Sequence, residues 1–170
     1  FSENQEIHLP SINKFISITG AKLRAKKIVH RQFLGLHTYI FDLPTVQLKI
    51  DFNYYPFPRI ELGGKWNGLA IDSLKDIAVN KVHTISTKAR DRDFVDLYFI
   101  LKKENWNLRE LIILAKTKFD WDIDPIQLGQ TFTQVVALKD VPYMLVPFDR
   151  IDLERFFLQQ AKLLGKDIFR

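Results

Sequence analysis

The sequence predicts an α+β fold in which a partial sheet precedes a helical bundle, and three observations carry that expectation. Val46, Leu48, Ile50 and Phe52 alternate with Gln47, Lys49, Asp51 and Asn53, the period-two pattern of a strand with one buried face. From Ser73 onward the apolar residues recur at helical spacing instead. Between the two styles lies Pro56 to Gly68, whose prolines and Gly63-Gly64 pair read as a loop.

The elements follow in order. A helix is expected over Leu9 to Thr19, closed by Gly20. Segments rich in β-branched and aromatic residues then read as strands at Lys27 to Phe33, Leu36 to Phe41 and Thr45 to Tyr54, and Asp51 falls on the polar face of the last. Ser73, followed three residues later by Asp76, has the form that satisfies the orphan N–H groups of a helix start and opens a helix to about Ser86. Further helices are expected at Arg92 to Lys103, Leu108 to Lys118, Pro125 to Val136 and Ile151 to Leu164. The seam between sheet and bundle is placed near Gly68, dividing the chain into 1–68 and 69–170.

Composition narrows the chemistry. The chain has 170 residues, 46% hydrophobic and 26% charged, enough for one compact domain with a sizeable core, and its 14 Phe, 5 Tyr and 3 Trp make that core aromatic. Zero cysteines exclude a disulfide framework, a thiolate zinc site and a cysteine nucleophile. No apolar run approaches the roughly 18 residues of a membrane span, and no leader pattern is visible, so the expectation is a cytoplasmic protein without a membrane partner. A net charge of +5 suits a polyanionic partner, either RNA or a nucleoside triphosphate.

Two stretches carry candidate chemistry. On the helix from Ser73, Leu74, Ile77, Ala78, Val82 and Ile85 share one stripe, and Lys81 falls in its middle. A lysine there either snorkels to the rim or meets an anion, because an unpaired buried ammonium is costly. The run from Lys88 to Asp96 then sets Lys88, Arg90 and Arg92 against Asp91, Asp93 and Asp96, with Asp93 and Asp96 on one helix face. Either Asp91 or Asp93 caps that helix among ordinary ion pairs, or Lys81, Arg92 and the acids form a phosphate-handling corner.

Those residues resemble a known family. Ile71 to Lys81, then Lys88, then Arg92-Asp93-Phe94-Val95-Asp96-Leu97-Tyr98 are similar to the signature of the AbiEii/AbiGii-type nucleotidyltransferases, the toxin-like branch of the polymerase-β nucleotidyltransferase superfamily. The likeness extends to Val46–Asp51, to Val141-Pro142-Tyr143-Met144 and to Phe156-Phe157. The family's first Arg of the Arg-x-x-x-Arg-Asp-x-x-Asp-Leu run is Lys88 here, which keeps the charge and loses any bidentate contact.

The resemblance implies that residues 1–68 are the remaining part of a nucleotidyltransferase α/β core and that 69–170 carry the Lys and Arg-Asp-x-x-Asp motifs. It implies transfer of a nucleoside monophosphate from an NTP to an acceptor, RNA and in particular tRNA, with Mg2+ or Mn2+, in a toxin–antitoxin or abortive-infection system with a cognate antitoxin. Asp51 would be the third carboxylate and a metal ligand, Lys81 would contact the triphosphate, and Asp93 would be the downstream catalytic or orienting acid. Lys88, Arg92 and Asp96 would support nucleotide binding. The family's early motif, a Gly-Gly/Ser-Thr turn followed by Arg-x-Ser-x-Asp-x-Asp-Phe-Phe-Ser, is not among these residues. Phe1-Ser2-Glu3 is similar to its tail, so the remaining metal ligands are expected upstream of Phe1 and the 170 residues alone are expected to be inactive.

Two other classes remain open: a non-catalytic nucleotide- or RNA-binding module, and a helical bundle that docks a partner protein. The cations from Lys22 to Lys27 read either as a solvated face or as the lining of an RNA or triphosphate path. His8, His30, His37 and His83 lack zinc-ligand spacing, Trp66, Trp106 and Trp121 read as packing residues, and Gly63-Gly64 lacks the downstream residues of a P-loop.

Overall fold

The computed structural model describes residues 2–3 and 7–168. Phe1, at the head of the expected motif tail, lies outside the described residues. The α+β expectation holds, and the chain forms two compact units, Phe1–Phe57 and Pro58–Arg170.

The first unit is a four-stranded sheet and one helix. The elements are β1 (Ser2–Glu3), α1 (Leu9–Lys22), β2 (Lys27–Phe33), β3 (Leu36–Asp42) and β4 (Gln47–Tyr54), with strand order β1-β4-β3-β2. β2, β3 and β4 are antiparallel neighbours, while β1 runs parallel to β4 with Ser2 opposite Asn53. Alternation decides the faces. His37, Tyr39 and Phe41 of β3 are buried, and with Ile16 of α1 and Phe52 of β4 the last two build the apolar core of this unit. The opposite face aligns Arg31, Thr38 and Asp51 across three strands. The β2–β3 connection is Leu34-Gly35, with φ of 44° and 77° respectively, the two-residue turn whose twist matches a hairpin.

The helix α1 does not stop at Gly20 as expected. Gly20 is buried within it, because a Cβ there would stand 2.4 Å from Cδ1 of Ile28. The left-handed residue that closes the helix is Arg24, with φ of 52°.

The second unit begins with an extended segment and a short hairpin, β5 (Lys65–Trp66) and β6 (Leu69–Ala70), turning at Asn67-Gly68 with φ of 49° and 85°. The helices α2 (Leu74–Lys88), α3 (Asp91–Glu104), α4 (Leu108–Phe119), α5 (Pro125–Thr133) and α6 (Arg150–Ile168) follow. The helix expected over Pro125 to Val136 is divided, its last turn tightening into a 3-10 helix over Gln134–Ala137. α2 packs on α3 and α4, and α5 packs on α6. The stripe read from the sequence is the one that packs: Ala78, Val82 and Ile85 are buried with Phe94, Leu97, Leu111, Phe132 and Phe157, while Leu74 and Ile77 pack at its edge. Of the three tryptophans expected to pack, only Trp106 does, since Trp66 is 64% and Trp121 54% exposed.

Residues 58–68, placed before the seam in the sequence-based division, are bonded to the helical unit. Asp76 is fully buried and accepts hydrogen bonds from Ile60 N–H at 2.8 Å, Glu61 N–H at 3.2 Å, the Ser73 hydroxyl at 2.9 Å and the buried Lys118 ammonium at 2.7 Å. Ser73 in turn accepts from the Asp76 N–H, the helix-start contact its sequence predicts. Arg59 adds an ion pair to Asp72 at 3.0 Å. Gly63 is obligatory here, because a Cβ would fall 1.8 Å from the Ile71 carbonyl oxygen. Among the described residues no helix is long and apolar enough to cross a membrane.

Burial disfavours the Asp76 charge, yet the Lys118 ammonium and the Ile60 and Glu61 N–H groups outweigh it and hold the carboxyl below the usual range. Removing the carboxylate takes the Asp76 ion pair from the buried Lys118 ammonium and an acceptor from the Ile60 and Glu61 N–H groups. Asp76→Ala is therefore expected to cost about 3–5 kcal/mol in urea unfolding, whereas a surface acid such as Asp122 changed to alanine stays within about 0.5 kcal/mol.

Candidate active site

The α2–α3 corner is organised by Asp93, which has no exposed surface. It sits in the first turn of α3, where the helix dipole already favours an anion, and it accepts four hydrogen bonds. The Lys81 ammonium donates to Oδ1 at 2.8 Å, Arg90 donates from Nε to Oδ2 at 2.8 Å and from Nη2 to Oδ1 at 3.1 Å, and the Arg90 backbone N–H reaches Oδ2 at 3.3 Å. Burial opposes the charge on Asp93, but Arg90 and Lys81 overcome it and lower its pKa.

Lys81 is thereby fixed. Its side chain is 19% exposed, and it donates a second hydrogen bond to Oδ2 of Asp96 at 2.5 Å. Of the two fates open to a lysine on an apolar stripe, the anion is the one observed. An ammonium has three N–H donors, so two bonds leave one for a ligand. Asp96, on the face it shares with Asp93, remains 45% exposed.

The other predicted residues are placed as follows. Lys88 and Arg92 lie exposed beside this corner, and among the described residues neither enters a hydrogen bond or ion pair. Asp91 turns away from the corner and accepts from the Lys139 and Asp140 N–H groups, both at 2.6 Å, so it ties α3 to the chain after α5. Asp51 belongs to the first unit. Its Oδ1 accepts from the Thr38 hydroxyl at 2.6 Å and its Oδ2 pairs with Lys49 at 2.9 Å, with the side chain 38% exposed. The Thr38 hydrogen bond first, and Lys49 after it, keep the Asp51 carboxyl below its ordinary range and ionised at neutral pH.

The sequence sets Arg90 among the ion pairs of this run without assigning it to Asp93. The signal was present: Arg90 stands three residues before Asp93 at a helix start, the spacing at which an N-cap residue meets the third residue of its helix. Among the described residues no cluster of three His, Asp or Glu is placed to hold a metal, and His30 and His37 are instead joined by a 3.1 Å hydrogen bond across β2 and β3.

A cleft of about 570 Å³ opens beside Lys81 and Asp96, walled by Ile77, Val95, Phe99 and Ile100 of α2 and α3 and by Pro142, Tyr143 and Met144. Its lining is mostly apolar, and Tyr143 is 92% exposed at the rim. Pro142, Tyr143 and Met144 stood out in the sequence only through the family likeness, because the loop that closes one side has no periodic pattern.

The lowered pKa of Asp93 fixes a pH dependence. Its folded value lies below the unfolded value of about 3.9, so the stability it confers is complete above about pH 4 and is lost as pH falls through the depressed folded value. Asp93→Asn is expected to lower stability at pH 7 and to flatten the decline below about pH 4, read as urea midpoints at stepped pH.

The chain is similar to several known proteins. An uncharacterized protein of Aquifex aeolicus (strain VF5) is 38% identical over 127 residues, which are 74% of this chain. The chain spans 60% of the length of that relative. A crystal structure of a candidate nucleotidyltransferase from H. pylori superposes with a TM-score of 0.53 at 18% identity, covering 98% of this chain and 76% of that one. The crystal structure of JHP933 from Helicobacter pylori gives a TM-score of 0.47 at 19% identity, over 84% of this chain and 65% of the other. The family model described as nucleotidyl transferase AbiEii toxin, type IV toxin–antitoxin system, matches residues 6–162, and the chain belongs to that family.

Proposed function

We propose that the chain is the acceptor-activating and triphosphate-binding part of a nucleotidyltransferase that moves a nucleoside monophosphate from an NTP onto an RNA hydroxyl, with a tRNA end as the acceptor and pyrophosphate as the leaving group. In the cell this makes it the toxin whose action a cognate antitoxin opposes. The observation that carries the reading is Lys81, an ammonium locked between Asp93 and Asp96 with a donor left over.

A preorganised cation is what phosphoryl transfer asks of a protein, since charge builds on phosphate oxygens as the leaving group departs. Lys81 meets those oxygens without first having to order its side chain. Asp93 is saturated by Lys81 and Arg90, so it orients the cation rather than accepting a proton itself. Lys88 and Arg92, exposed and unpaired among the described residues, add positive field for the rest of the triphosphate.

Asp51 is the carboxylate suited to the acceptor side. It is ionised and partly exposed, and a hard oxygen donor of this kind fits Mg2+ or Mn2+ as one ligand of a set. A divalent ion bound there would sharpen an acceptor hydroxyl as a nucleophile.

The test is label transfer from each of the four α-³²P nucleoside triphosphates onto total tRNA with Mg2+, using protein with its upstream residues restored. Label is expected from a preferred nucleotide, and Lys81→Ala is expected to lower the rate by at least about 100-fold. A folded protein that labels nothing with any nucleotide would leave a non-catalytic nucleotide- or RNA-binding module instead.

A further inference from the structure

We infer that the cleft beside Lys81 seats the base and ribose of the nucleoside triphosphate whose phosphates Lys81 meets, an assignment that rests on the nucleotidyltransferase reading above. The volume of about 570 Å³ falls within the range of small-molecule sites, about 300–1,000 Å³. Its chemistry is asymmetric. One end presents Lys81 and Asp96, while the walls present Ile77, Phe99 and Met144, with Tyr143 at the rim.

A ligand matching that arrangement has an anionic end and a flat, weakly polar end. A nucleoside triphosphate has both within one molecule, so a single occupant satisfies the lysine donor and covers the apolar wall. Tyr143, 92% exposed, presents a ring that the described residues leave open, and a base face laid on it would recover that area from water. An acceptor base would also stack on an aromatic ring, but it would leave the continuity between the wall and the Lys81 ammonium unused. The lining offers few groups to hydrogen-bond a base edge, so the cleft supplies affinity through faces, which purines and pyrimidines share.

The experiment is calorimetric titration of the 170-residue chain with ATP, CTP and inorganic tripolyphosphate, for the wild type, Tyr143→Ala, Met144→Trp and Lys81→Ala. Tyr143 carries no core packing at its exposure, so its alanine variant tests binding rather than folding, and Met144→Trp fills the cleft. Tyr143→Ala is expected to weaken ATP and CTP about tenfold and to leave tripolyphosphate unchanged. Lys81→Ala is expected to weaken all three. If Lys81→Ala weakens all three while both cleft variants bind ATP and CTP as the wild type does, the cleft assignment is overturned and the triphosphate role of Lys81 stands. If Lys81→Ala changes none of them, or the wild type binds neither nucleotide, the cleft assignment falls together with the reading beneath it. Loss of tRNA affinity in Tyr143→Ala with unchanged ATP affinity would hand the cleft to the acceptor and overturn the proposal.

Discussion

A carboxylate with no exposed surface must be neutralised where it stands, and the helical unit is organised around two of them. Asp93 draws Lys81 of α2 and Arg90 to the start of α3, and Asp76 draws Lys118 of α4 and the backbone of Ile60 and Glu61 to the start of α2. Each acid lies in the first turn of its helix, where the dipole lowers the cost of the charge. Apolar burial supplies the driving force for packing α2 against α3 and α4, but apolar contacts tolerate sliding. The ion pairs do not, because a shift of either helix leaves an unpaired charge in a dry interior.

The same physics separates two kinds of carboxylate in the molecule. Asp93 and Asp76 have every oxygen engaged by donors and act on their surroundings by holding cations and N–H groups in place. Asp51 and Asp96 are partly exposed, and each stands beside a cation, Lys49 and Lys81 respectively. Chemistry at a phosphate needs the second kind to face a ligand and the first kind to keep the facing groups rigid. Two acids three residues apart on α3 thus differ in exposure, Asp93 closed off and Asp96 partly open.

What the sequence disclosed follows from how local each signal is. The β4 strand was legible because alternation is written into eight consecutive residues, and the start of α2 because Ser73 and Asp76 satisfy a contact that spans three. Lys81 was legible as an anomaly on an apolar stripe. The Asp76–Lys118 pair was not, since its members are 42 positions apart and each alone resembles an ordinary helix-terminal charge. Arg90 and Arg92 differ only in which side of the helix start they occupy, a distinction that rests on knowing the N-cap is Arg90. The Asn67-Gly68 hairpin was legible and went unread, hidden among the prolines and glycines of the loop. Gly20 misled for the opposite reason: it marks a close approach of Ile28, not the end of a helix.

Lys88, at the place where the resembled signature carries an arginine, takes on a physical meaning in this setting. A guanidinium earns its place where a planar fork meets a carboxylate, and that position in the corner is already filled by Arg90, whose Nε and Nη2 grip both oxygens of Asp93. Lys88 lies exposed at the end of α2, with no carboxylate to chelate among the described residues. What that position can contribute is a solvent-exposed positive charge near the helix C-terminus, and a lysine delivers it as well as an arginine does. The geometry that must be rigid is therefore concentrated in Lys81, Arg90 and Asp93, and the cations around them act through their field.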